Sequence, residues 1–171
     1  MPLVEMLTEQ ARFQETFNKI PVPQKSIARA EVPEAPPAPP TNPTRDLLKD
    51  AEAAFNAGDT VKAQASFERV LSDFDRDNGA ALYGLALIAS KKGDSDEAKQ
   101  YFERAIRSDS AEPGMKVWAY IYLARIFDLE CNRPRAVEYY QQATKIGDNT
   151  RNAQAAARDG VAKPYGDGCK E

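Results

Sequence analysis

The residues best placed to do chemistry lie in the run Asp73-Phe74-Asp75-Arg76-Asp77-Asn78, where three carboxylates alternate along six positions. Alternating acids are how a calcium loop presents oxygen ligands. Such a loop also needs glycine at its sixth position for the sharp turn and a bidentate glutamate at its twelfth. Those positions hold Asn78 and Gly84, so the run reads as a solvated turn between two helices. The chain has no histidine. That excludes Ser-His-Asp and Cys-His nucleophilic machinery and removes the commonest metal ligand. Two cysteines, Cys131 and Cys169, cannot complete a four-ligand zinc site alone. They are open to two readings. One is a small turn residue and a tail thiol. The other is a disulfide tying the tail to the segment around Cys131, which would imply an oxidising compartment. No phosphate-binding loop, dinucleotide glycine motif or nucleophile elbow appears. The expectation is no catalytic residue, no cofactor and no metal.

Composition narrows the partner class. Charged residues are 29% and apolar ones 42% of 171, and the net charge is −3. That balance suits one domain with a modest core and lacks the basic footprint of a nucleic-acid binder. No apolar run approaches the roughly 18 residues that span a bilayer. The first residues mix acids into any apolar stretch and do not read as a leader. The expected locale is therefore cytoplasmic or periplasmic, with no membrane insertion.

The elements divide at about residue 43. Residues 1–43 hold nine of the twelve prolines and no glycine. An amphipathic helix is expected within 1–20, stopped by Pro21 and Pro23, followed by a Pro-rich linker over 21–43. The helix has an apolar face that could serve self-association.

Beyond it a spacing recurs. Gly58, Ala63 and Phe67 are followed by Gly93, Ala98 and Phe102, then by Cys131, Ala136 and Tyr140. The middle copy, Gly79 to Glu112, is a 34-residue block with Leu82, Leu85, Ala86, Ala89 and Ala105 as further landmarks. The turn positions are glycine in two copies and cysteine in the third. Copies begin near Thr44, Gly79 and Val117, 35 and 38 residues apart, with the extra residues in the connecting turns.

Three such copies resemble the tetratricopeptide repeat, a helix–turn–helix unit of 34 residues. The resemblance implies an all-α fold: a right-handed superhelical solenoid of antiparallel helix pairs. Repeats are expected at about 44–77, 79–112 and 117–148, a capping helix at about 149–160, the domain as a whole over 44–165 and a tail over 166–171. Thr44 is expected to cap the first helix, and Val61, Ala63, Phe67, Val70 and Leu71 to face inward from its partner. Small residues would sit at the crossings (Ala51, Ala86 and Ala124 on first helices; Ala63, Ala98 and Ala136 on second helices), with Leu47, Leu82 and Tyr120 packed around them.

The resemblance also implies a function. First helices of such arrays line a concave groove that binds proteins. By position, that lining is Leu48, Glu52, Phe55 and Asn56, then Tyr83, Leu87, Ser90 and Lys91, then Trp118, Ile121, Arg125, Asp128 and Leu129. The family subtype that clamps a terminal carboxylate uses Lys and Asn where this chain has Leu48, Glu52, Tyr83 and Leu87. A largely apolar peptide or helix is the expected ligand, with Tyr83, Trp118 and Arg125 giving specificity. Two alternatives stand beside a free-standing adaptor. One is an accessory module of a larger bacterial envelope enzyme or complex. The other is a homo-oligomerisation module using residues 3–20.

Overall fold

In the computed structural model, residues 42–166 are described. The expected N-terminal helix, all but the end of the Pro-rich linker, and Cys169 lie outside that range. Seven α-helices follow one another: α1 (Pro43–Asn56), α2 (Thr60–Asp73), α3 (Gly79–Lys92), α4 (Ser95–Arg107), α5 (Pro113–Leu129), α6 (Arg133–Ile146) and α7 (Ala153–Ala162), the last preceded by a 3-10 turn at Thr150–Asn152. The described residues contain no strand.

The helix starts are written in Asn and Asp. Asn42, Asp59, Asn78, Asp94 and Asn132 each accept a hydrogen bond from the backbone N–H three residues on. Each thereby satisfies a donor that the helix itself leaves unpaired. Thr44 is not the first cap. Pro43 already occupies the first helical position, where a missing N–H costs nothing, so the cap falls to Asn42. The turns within the three pairs share one conformation: Gly58, Gly93 and Cys131 sit at φ 86°, 83° and 63°. Cys131 thus adopts the left-handed geometry that its glycine counterparts reach without a Cβ penalty.

Each first helix packs most extensively on the second helix of its pair, and each second helix packs on the next pair. First helices also touch directly, α1 on α3 and α3 on α5. They therefore form one layer. The expected crossing residues Ala51, Ala86, Ala124, Ala63, Ala98 and Ala136 are all fully buried. Phe67, Phe102 and Tyr140 fill the space around them and are buried as well. Burying Phe102 alone contributes about 2–3 kcal/mol.

Leu82 is fully buried, whereas Leu47 and Tyr120 are half-buried and pack on the core from its margin. Val61 departs from expectation: it is 79% exposed. It lies about 200° around the helix from Ala63, off the stripe that Ala63, Phe67 and Val70 define.

The array ends on α7, which buries Ala153 and Ala157 against the third pair. Gly160 lies so close to Tyr140 that a Cβ there would sit 2.3 Å from the ring. α7 starts four residues later than expected, because Arg151 and Asn152 are left-handed (φ 53° and 61°). None of the helices among the described residues is long and apolar enough to cross a membrane.

Candidate functional site: a cleft along the first helices

A cleft of about 440 Å³ runs along the layer of first helices. Glu52, Phe55 and Asn56 of α1 and Ala80, Tyr83, Gly84 and Leu87 of α3 line it. Both sets repeat at three- and four-residue spacing, which places them on one face of each helix. Phe67 of α2 shows at the bottom because Gly84 has no side chain. A Cβ at Gly84 would lie 2.4 Å from the Phe67 ring.

The far wall comes from the start of α5 (Glu112 to Met115, and Trp118) and from Asp148, Thr150 and Arg151. Two contacts fix it. The Trp118 indole Nε1–H donates to the Thr150 carbonyl at 2.8 Å. The Thr150 N–H donates to Asp148 Oδ1 at 2.8 Å. Thr150, through its side chain first and its backbone second, holds the Asp148 carboxyl below its ordinary range.

Tyr83 is a half-buried polar group of the cleft. Burial pushes its phenol well above the usual range, with Tyr122 adding to the shift and Arg151 opposing it. The hydroxyl is therefore a neutral donor at any ordinary pH. From Tyr83 an aromatic row leads back to Trp118. Tyr83 meets Phe102 edge-on (5.9 Å between centroids), Phe102 stacks on Tyr122 (5.4 Å), and Tyr122 meets Trp118 (5.9 Å). Arg125 lies over Trp118 (5.8 Å), Tyr122 (5.7 Å) and Tyr165 (4.7 Å). Lys91 lies over Phe55 at 5.8 Å. These are cation–π distances.

Of the groove residues expected from the sequence, Glu52, Phe55, Asn56, Tyr83, Leu87 and Trp118 come together here. Leu48 is half-buried against the first pair's core instead. Ser90 donates back to the Ala86 carbonyl within α3 (2.9 Å), and Leu129 is 63% exposed beyond the cleft. Lys91 and Arg125 flank the lining rings without lining the cleft themselves.

Ile121 and Asp128 do not face a groove. Ile121 is fully buried, in the core shared with α6 and α7. Asp128 is 3% exposed. Its carboxylate accepts from Arg133 Nη1 at 3.1 and 3.2 Å, from the Tyr140 hydroxyl at 3.2 Å and from the Tyr165 N–H at 2.8 Å. It is a structural anion that ties α5 to α6 and to the segment after α7.

Sequence reasoning missed the far wall. The sequence presents the connection at 111–114 as a tolerated insertion between repeats and 149–152 as the first turn of the capping helix. Gly114 is one local signal, since a Cβ there would lie 2.9 Å from Thr150 Oγ1.

The acidic run at 73–78 acts as a turn. Asn78 caps α3, Asp75 accepts from the Asp77 N–H (3.1 Å), and Asp77 pairs with Arg104 (3.3 Å). No group of three or more metal-ligating side chains occurs among the described residues.

The tetratricopeptide repeat family model matches residues 77–149. Residues 77–149 belong to the tetratricopeptide repeat family. The match covers the second and third helix pairs, and the first pair repeats their turn conformation and buried alanines. A stretch of 61 residues is 41% identical to cellulose synthase operon protein C of Komagataeibacter xylinus. It covers 36% of this chain and 5% of that protein, so the likeness is to one small part of a much longer molecule. Tetratricopeptide repeats are protein–protein interaction modules, and the family is typically non-catalytic.

Proposed function

We propose that this tetratricopeptide array is a scaffold that holds a peptide or helix of another protein in the cleft between α1, α3 and α5. The observation that carries this reading is the cleft itself. Half-buried aromatic side chains, Tyr83 from α3 and Trp118 from α5, line it together with Leu87 and Phe67, and such residues dominate binding hot spots. The wall is pinned by the Trp118–Thr150 bond, so a ligand meets a surface that is already ordered, which lowers the cost of binding.

The test is retention of protein from source-cell extract on the immobilised chain, compared with a Tyr83→Ala/Leu87→Glu variant of unchanged helicity. The expected result is a protein held by the wild type and lost by the variant. Equal retention on both would move the interface to another face.

A second reading is that the array serves as an accessory module in a larger bacterial assembly. The likeness to cellulose synthase operon protein C supports it. It predicts that the native protein elutes from a gel-filtration column well above its own mass, together with an enzyme of polysaccharide synthesis. Elution of the native protein alone, at its own mass, would count against it. Self-association through residues 3–20 concerns residues outside those described.

A further inference from the structure

The charge and ring pattern of the cleft bears on what its ligand must carry. This step rests on the cleft being the binding face. Three carboxylates line it, Glu52 from α1, Glu112 at the start of α5 and Asp148 from the far wall, with Arg151 also in the lining and Lys91 and Arg125 beside its rings. Neither Glu52 nor Glu112 forms an ion pair among the described residues. Between them stand the rings of Phe55, Tyr83 and Trp118. An aromatic face attracts a cation through its quadrupole, most strongly where water is excluded. The chain already uses two of these rings that way: Lys91 lies over Phe55 and Arg125 over Trp118, each at 5.8 Å. The Tyr83 hydroxyl makes no hydrogen bond among the described residues and is placed to meet a backbone carbonyl.

We propose that the cleft recognises a basic peptide, seating a Lys or Arg side chain among Phe55, Tyr83 and Trp118 with Glu52, Glu112 and Asp148 as counter-charges. An aliphatic or aromatic neighbour on the same peptide would cover the floor at Leu87 and Phe67. An acidic peptide would face three carboxylates in a half-enclosed space, and like-charge juxtaposition is how interfaces reject wrong partners.

The experiment is selection of a displayed random dodecapeptide library on the full 171-residue chain, followed by calorimetric titration of the selected sequences as synthetic peptides. Three variants, each checked for unchanged helicity, are titrated beside the wild type: Glu52→Lys/Glu112→Lys, the milder Glu52→Gln/Glu112→Gln, and Tyr83→Ala. The expected result is enrichment of Lys or Arg next to an apolar residue. Affinity should fall roughly tenfold on charge reversal and less on neutralisation, as exposed ion pairs allow. It should also fall for Tyr83→Ala and as salt rises.

Selected peptides that need Tyr83 but carry no excess of basic residues would overturn the cation reading and leave the cleft standing. Peptides that bind the Tyr83→Ala and charge-reversed variants as tightly as the wild type would overturn both. A library that yields no binder counts against both as well.

Discussion

Asp128 shows how a single buried group can define the end of an array. Its carboxylate gathers Arg133, the Tyr140 hydroxyl and the Tyr165 N–H. A buried anion is tolerated only when hydrogen bonds replace water in this way. Removing one partner is the informative perturbation. Tyr140→Phe deletes the hydroxyl and keeps the ring, and is expected to cost about 1.5–3 kcal/mol in a denaturant melt, the range for hydrogen bonds to charged groups. The same residue sets a pH dependence. Burial first, and the Asp128 carboxylate second, push the Tyr140 phenol above its ordinary value near 10. A raised native pKa means that its contribution is fully present below pH 10 and is lost as pH rises above it. The wild type should therefore lose stability above pH 10 more steeply than Tyr140→Phe, measured as midpoint against pH. Parallel curves would refute the assignment. The sequence showed Tyr140 as a repeat aromatic, but it placed Asp128 in the groove. Counting helical positions gives a direction, and it cannot say that a carboxylate three residues past Arg125 will find Arg133 and Tyr140 waiting in the interior.

Among the elements, the helices were the most legible part of the chain. Alanine, glycine and aromatic spacings pointed to helix pairs, because close helix crossings leave room only for small side chains. The caps were less legible. Asn and Asp compete with Thr for the cap, and Pro43 decided the first case. Least legible were the connections that build the far wall of the cleft, since their shape depends on contacts such as Trp118 with Thr150 that lie 32 residues apart. Gly84 tests the packing of α3 on α2. Its replacement by alanine gains up to about 1 kcal/mol of helix propensity. It also drives a Cβ to 2.4 Å from the ring of Phe67, a residue only 3% exposed. Overpacking costs roughly 1–3 kcal/mol, and a ring embedded in the first pair's core has little room to retreat. The net expectation is a lower thermal midpoint for Gly84→Ala. A midpoint that rose would mean that Phe67 swings aside freely, and the floor of the cleft would then be soft.

Across the whole molecule, each helix pair touches mainly its neighbours, so stability is expected to be a sum over pairs and seams rather than a single cooperative quantity. Deleting residues 153–171 tests this. The cut removes α7, which covers Tyr140, Ala143 and the rest of the last core cluster, and keeps the wall at 148–152. The third pair should lose at least about 2 kcal/mol. Hydrogen exchange should report that loss as early opening of α5 and α6, while α1 to α4 keep their protection. Equal loss of protection in all six helices would show that the pairs are not independent.

The position of Trp118 has one more consequence. It is the sole tryptophan of the chain, its indole N–H is bonded to the Thr150 carbonyl, and its ring stands in the wall of the cleft. All indole emission therefore originates at one known place. A ligand that enters the cleft dries that ring and shifts the emission to shorter wavelength, whereas one that docks on another face leaves the spectrum as it was. The fold thus carries its own dye in the wall of the proposed binding cleft, and the unlabelled protein can report whether that cleft is filled.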